Sequence, residues 1–407
     1  MNRTHLISLM LLATAVIAAS ATSFAAERPE QSSVDAVVKG NTVFALKMHQ
    51  ELSEKGGNLF FSPYSISSAL GMIYAGACGN TEKEMREAMS FPEERDKLCK
   101  SFGELQEELN AIQKTGDIKL SVANAIWAQK GYKFLPSFMD LVNKEYKSKI
   151  SLADFIGHAE AERKMINSWV EQHTSNKIKD LISKGTLNSF TRMVLINAIY
   201  FKGDWASQFK KSHTQELDFH VSYGKKVKAK MMFQEGKFRL AEDVDTQALE
   251  MPYKGDRLSM LVLLPKQKNG IGWLEKTLTV EKLNGLIDKL WKTTVEVTFP
   301  KFKVETGYDL IPLFKKLGIQ DAFSRKADFS YMNGTGDLLI SAIQHKAFVE
   351  IDEQGTEAAA ATLAVASWSL GPLHPEFVAN HPFLFLIRDN TTGSILFMGR
   401  MADPNSR

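Results

Sequence analysis

The residues most open to chemistry lie near the C-terminal end, where Asp352-Glu353-Gln354-Gly355-Thr356-Glu357 gives way to the uncharged run Ala358-Ala359-Ala360-Ala361-Thr362-Leu363-Ala364-Val365-Ala366. Glycine frees the backbone to turn after a clear strand. Taken as a strand, Thr356, Ala358, Ala360, Thr362, Ala364 and Ala366 share one face, all small, and such a face can enter a crowded site without overpacking it. The alternative is an alanine-rich surface helix, since alanine is the best helix former. Just downstream, Trp368-Ser369-Leu370-Gly371-Pro372-Leu373-His374-Pro375 mixes apolar residues with two prolines, a poor helix and a plausible bait for a protease pocket. The chemistry on offer is a peptide bond presented for attack, which favours an extended loop.

Catalytic signatures are poor by contrast. There is no G-x-S-x-G, H-E-x-x-H, C-x-x-C or P-loop, and Gly270-Ile271-Gly272 lacks the third glycine and the strand-to-helix setting of a nucleotide loop. Nine histidines leave a triad conceivable but unannounced. Nothing in the sequence calls for a cofactor or a metal. Lys225, Lys226, Lys228 and Lys230 could attract a polyanion, but Glu235, Glu242, Asp243 and Asp245 follow closely and a solvated hairpin tip explains them as well. The net charge of +3 is too small a bias to imply nucleic acid or an anionic membrane.

The elements that must position the loop follow from periodicity. The first half is mostly helical: Thr81 with Glu84 has the spacing of a capping box, and Met165, Ile166, Trp169, Val170 and His173 share a helix face over 158–174. Strands begin with Ser121 to Gln129 and Met193 to Phe201. They then dominate as Ala248 to Tyr253, Leu258 to Leu264, Val295 to Val304, Ala347 to Asp352, Phe383 to Arg388 and Ser394 to Met398. Helices first and strands later predict an α+β fold. Within Val295 to Val304 the alternation changes phase at Pro300, which reads as a bulge or an edge, and Lys301 at that break needs an acidic partner if buried.

At the other end, Arg3, an apolar stretch from Leu6 to Ala19 and small residues up to Ala25 have the layout of a cleaved secretory signal over residues 1–25, with a transmembrane anchor as the competing reading. The expectation is a secreted protein, extracellular or periplasmic, with one domain over residues 26–407 and no linker or repeat. Cys78 and Cys99, the two cysteines, either pair or stay free. Asn333-Gly334-Thr335 and Asn390-Thr391-Thr392 match the glycosylation acceptor pattern.

Six separated motifs, in order, make the chain resemble the serpin family over nearly all of its length. They are Asn58-Leu59-Phe60-Phe61-Ser62-Pro63-Tyr64-Ser65-Ile66-Ser67, Asn197-Ala198-Ile199-Tyr200-Phe201-Lys202-Gly203-Asp204-Trp205, Phe299-Pro300-Lys301-Phe302, His345-Lys346-Ala347, Glu353 to Ala360, and His381-Pro382-Phe383-Leu384-Phe385 with Phe397-Met398-Gly399-Arg400. The resemblance implies three β-sheets, eight or nine helices and a reactive-centre loop over about 353–376. It implies a hinge at Glu353, Gly355, Thr356, Glu357, Ala358, Ala359, Ala360 and Ala361. It further implies a Lys301–Glu353 pair, Trp205 at a breach, and a polar shutter of Ser62, Ser65, Asn197 and His345.

The function implied is suicide inhibition by a monomer: a target serine protease cuts the loop, is held in a covalent 1:1 complex, and is carried along as the loop inserts into the main sheet. About 14 inserted residues at roughly 3.3 Å each carry the enzyme nearly 50 Å. The family's usual spacing from Glu353 puts Ser369 before the cut, whereas counting back from the segment after Glu376 lands near Gly371. Trp368, Ser369, Leu370 and Gly371 are all candidates. Ser369 suits an elastase-like pocket, Leu370 or Trp368 a chymotrypsin-like one, and the absence of Lys and Arg between Gly355 and Glu376 argues against trypsin-like targets. A non-inhibitory carrier or chaperone is the alternative within the family.

Overall fold

The structure, a computed structural model, describes residues 33–113, 117–355 and 374–406. Residues 1–32 lie outside it, as do the hinge residues Thr356, Glu357, Ala358, Ala359, Ala360 and Ala361 and the candidate bonds at Trp368, Ser369, Leu370 and Gly371.

Fourteen strands follow in chain order: β1 (Leu59–Phe61), β2 (Ile118–Gln129), β3 (Ile150–Ala153), β4 (Met193–Gly203), β5 (Gln215–Ser222), β6 (Lys225–Glu242), β7 (Thr246–Pro252), β8 (Leu258–Pro265), β9 (Trp291–Pro300), β10 (Phe302–Asp309), β11 (Ile340–Ile351), β12 (Glu376–Val378), β13 (Phe383–Asp389) and β14 (Ile395–Met401). Six of the ten α-helical segments among the described residues precede β4, so the fold is α+β with helices first.

The five-stranded sheet runs β10-β11-β4-β2-β3. Its middle strand, β4, reads as a near-continuous apolar run because both faces are covered. Met193, Leu195, Ile199 and Phe201 of β4 face the main core, while Val194, Ile196, Ala198 and Tyr200 pack with Ile166 and Val170 of helix Phe155–His173. On the core side lies helix Pro63–Tyr74, buried along its whole length and opened by Ser62, whose hydroxyl accepts the Ser65 N–H at 3.1 Å ahead of a proline at the first helical position.

The remaining strands join in a second, nine-stranded sheet because β6, at 18 residues, is long enough to pair with three different strands. Its first half pairs with β5 and its middle with β9, which carries β12; its last residues pair with β7 and so reach β8, β13, β14 and β1. The phase change at Pro300 is where the chain crosses between sheets: β9 ends there and β10 starts at Phe302 in the five-stranded sheet. Lys301 stands at the crossing, with its N–H on the Lys230 carbonyl at 2.8 Å.

Two local readings change. The helix expected to start at Thr81 runs Gly79–Met89, and the Thr81 hydroxyl accepts the Asp328 N–H at 3.0 Å while Glu84 accepts the N–H groups of Gln320 and Asp321. Tertiary contacts have taken the groups that a capping box would have used. Asn333 is buried and its side chain is spent on Asp337, Thr335 and Gly336, a loop brace poorly placed to carry a glycan.

Cys78 and Cys99 are both free, and burial pushes the Cys99 thiol up to about 11. A thiol reagent added to the native protein near pH 8 should therefore label Cys78 alone, with Cys99 reacting only after denaturation. Prompt labelling of both, or of neither, would contradict this placement.

Candidate functional site

Beyond β11 the chain is pinned residue by residue. The Asp352 carboxylate accepts the Gln354 N–H at 3.0 Å and its carbonyl accepts the Gly355 N–H at 3.1 Å, closing a tight turn. Gly355 has φ +78°, and a Cβ there would lie 2.3 Å from the Trp205 nitrogen and 2.4 Å from the Gly203 carbonyl oxygen. Only glycine fits, both by conformation and by space.

This turn is held against the end of β4. Trp205 donates its backbone N–H to the Gln354 carbonyl at 2.9 Å and its indole N–H to the Asp352 carbonyl at 3.0 Å; Phe209 N–H reaches the Glu353 carbonyl at 2.7 Å. The Trp205 ring is itself fixed by stacking on Tyr253, centroids 4.5 Å apart. Glu353 is buried, with one carboxylate oxygen accepting from the Thr214 hydroxyl and the other from the Lys301 ammonium, each at 2.8 Å. Burial alone would raise its pKa, but Lys301, its own backbone N–H and Thr214 outweigh that and hold the carboxyl below its ordinary range. Lys301, at the sheet crossing, thus ties the start of the loop to the second sheet.

Lower down, β11 and β4 lie side by side and parallel, with His345 opposite Asn197. The two side chains hydrogen-bond across the seam. The Ser62 N–H donates to His345 Nε2 at 3.3 Å, so Nε2 is the unprotonated nitrogen and Nδ1–H donates to Asn197 Oδ1. Asn197 donates in turn to Ser65 Oγ at 2.6 Å and to Asn124 Oδ1, and Asn124 returns a bond to the Ser65 carbonyl at 3.3 Å. The Ser62 hydroxyl closes the set on the Leu396 carbonyl at 2.6 Å. One network therefore joins β11, β4, β2, β14 and helix Pro63–Tyr74.

Ser62 and His345 do not form a nucleophile and base. The Ser62 hydroxyl points at a carbonyl, the imidazole meets the Ser62 backbone instead, and both residues are fully buried. The structure brings Lys301, Trp205, Glu353 and Gly355 into one cluster and Ser62, Ser65, Asn197 and His345 into another. Asn124 and Thr214 complete these clusters and escaped sequence reasoning. An amide in the middle of an otherwise apolar run, Val122 to Ala128, is the available signal for Asn124; Thr214 has none.

Burial lowers the His345 pKa to about 3. A proton on Nε2 would face the Ser62 N–H, donor against donor. The unfolded imidazole takes up a proton near 6.5 and the folded one resists it, so stability falls as pH drops from 6.5 towards 3. We expect about 2 kcal/mol to be lost between pH 6.5 and 5, read from urea unfolding, with His345→Gln flattening that portion of the profile. An unchanged slope in the variant would remove His345 as the cause.

Comparison with known proteins gives a family model, serpin (serine protease inhibitor), that matches residues 39–404. The chain is 42% identical over 372 residues to leukocyte elastase inhibitor of Xenopus tropicalis, covering 89% of this chain and 98% of that protein. It is 40% identical over 379 residues to human serpin B8, covering 91% of this chain and 100% of that protein. Among solved structures it is similar to uncleaved ovalbumin, with a TM-score of 0.82 and 31% identity over 91% of this chain and 100% of that one. These comparisons correct the expectation of secretion and of a signal peptide: the relatives are intracellular clade B serpins, which lack signal peptides, and this points away from an extracellular or periplasmic protein. An apolar stretch with small residues after it is a generic pattern, and hydropathy alone over-reads it. The relatives are protease inhibitors and not enzymes, and with the family model matched over most of its length, the chain belongs to the serpin family.

Proposed function

We propose that this chain is an irreversible suicide-substrate inhibitor of serine proteases, acting as a monomer through the loop over 353–376. The observation that carries the reading is the parallel β11–β4 pair, with the chain leaving β11 at Gly355 directly against the end of β4. A segment that doubled back from this point would run antiparallel to β11 and, because β4 is parallel to β11, antiparallel to β4 as well. Entry would exchange one parallel ladder for two antiparallel ones, the more stable arrangement per residue. Thr356 to Ala366 matches β4 in length, 11 residues, and offers the small-residue face.

The chemistry belongs to the target. Its serine hydroxyl attacks the carbonyl carbon of one bond among Trp368 to Gly371; the C–N bond breaks, the amine of the next residue leaves with the proton, and an ester links protease to loop. Hydrolysis of that ester would free the enzyme. Insertion competes with it, driven by about a dozen ladder hydrogen bonds at around 1 kcal/mol each. The roles of the two clusters follow. Lys301, Trp205, Glu353 and Gly355 form the breach and hinge that fix where the strand enters. Ser62, Ser65, Asn197 and His345 form the shutter, whose His345–Asn197 bond across the seam must break first, so the uninserted form is held kinetically. Elastase-like targets at Ser369 and chymotrypsin-like or subtilisin-like ones at Trp368 or Leu370 fit the bait residues, and the relatives named leukocyte elastase inhibitor support the first.

The test is incubation with elastase, chymotrypsin and subtilisin. The expected result is a 1:1 complex that survives denaturing electrophoresis, with the released C-terminal peptide starting at Ser369, Leu370, Gly371 or Pro372. Loop cleavage without a complex would mark a non-inhibitory carrier or chaperone. Thr356→Arg should keep the cleavage and lose the complex at least tenfold, because a guanidinium entering the sheet is heavily desolvated. A variant that traps protease as well as the parent would refute insertion.

A further inference from the structure

Between the β7 and β8 ends and the start of helix Ile271–Thr277 lies a cavity of about 210 Å³, lined by Asp245, Pro265, Gln267, Asn269, Gly270 and Trp273. It is smaller than the roughly 300–1,000 Å³ cavities that take drug-sized ligands. Its frame is rigid. The Lys266 N–H donates to the Asp245 carbonyl at 2.7 Å, the Gly270 N–H to the Gln267 carbonyl at 2.9 Å, and the Trp273 N–H to the Gly270 carbonyl at 3.1 Å. A Cβ on Gly270 would come within 2.8 Å of Pro265 Cβ and 2.9 Å of the Gln267 carbonyl oxygen, so the loop's closeness depends on glycine.

The side chains on this frame are unusual for a surface. Trp273 is 46% exposed, and the Lys282 ammonium lies 4.1 Å from the ring centroid. A cation on the ring holds it in place. Around it the Asp245 carboxylate and the Gln267 and Asn269 amides make no side-chain hydrogen bond or ion pair with any described residue. The cavity thus offers an aromatic platform, one carboxylate acceptor and two planar amides that each donate and accept.

That set matches one ligand chemistry. The C–H edges of a sugar ring, slightly positive, meet the negative face of an indole, while its hydroxyls, each donor and acceptor, suit carboxylate and amide partners. We propose that this cavity binds a neutral pyranose as the terminal sugar of a glycan. One carboxylate, Asp245, and one ammonium, Lys282 over the Trp273 ring, leave the site without a net charge, which suits a neutral sugar. Gln247, two residues along from Asp245, donates to the Glu376 carbonyl at 3.3 Å, so the site lies on the side of the fold where the reactive loop rejoins β12. The site is independent of the inhibitory mechanism.

Saturation-transfer NMR on the full chain with the methyl glycosides of glucose, galactose, mannose and N-acetylglucosamine should detect at least one at millimolar concentration, and a glycan array should identify larger structures ending in that sugar. Trp273→Ala and, separately, Asn269→Ala should each weaken binding at least tenfold with the thermal midpoint unchanged; Asn269, exposed, keeps the test alive if the tryptophan variant folds poorly. No transfer to any glycoside, or equal binding by a folded variant, overturns the proposal.

Discussion

Two adjacent strands that run the same way, β11 and β4, set the terms for everything else in this molecule. Parallel neighbours cannot be joined by a short turn, and the sequence between them is spent on β5 to β10 and on four of the ten α-helical segments among the described residues. In the proposed mechanism the same parallelism is what lets the seam take a strand that reverses out of β11. An antiparallel pair there would have offered a returning strand one antiparallel and one parallel neighbour, and the gain would have been smaller.

The seam is guarded at two levels by different physics. At its upper end the guard is geometric: a glycine wedged against backbone atoms, a stacked tryptophan and a buried carboxylate tied to a lysine at the crossing between the sheets. Lower down the guard is a polar network in an otherwise apolar core, where each donor has one acceptor. Such a network is expensive to leave half satisfied, which makes it directional. It favours the arrangement in which His345 meets Asn197, and in the proposed mechanism an entering strand would have to replace those hydrogen bonds with its own.

Much of this could be read from residue order. The strand at Ala347 to Asp352 and the turn at Gly355 follow from periodicity and residue size, whereas the small-residue face beyond lies outside the described residues. Lys301 announced that it needed an acidic neighbour, and the phase break beside it, which reads in sequence as a bulge or an edge, marks a crossing between sheets. Asn124 and Thr214 stayed hidden because their roles depend on which strands become neighbours, information that lies in contacts made far apart in the chain. Thr81 and Glu84 show the reverse error: a correct local spacing was overridden by tertiary partners. The N-terminal apolar stretch misled for a third reason, since hydropathy reports what a segment can dissolve in and not where a family works.

The turn at Asp352 to Gly355 also divides the molecule into parts with different freedom to change. Every residue up to Gly355 is committed to the scaffold by a hydrogen bond, a stack or a steric limit, and on the far side the backbone is recaptured where the Pro375 carbonyl meets the Glu296 N–H at 3.0 Å. Both anchors are built entirely from residues outside 356–373. Under the proposed mechanism, the bait between them could therefore be rewritten without removing a hydrogen bond from either anchor, and the anchors could be kept while the target changes.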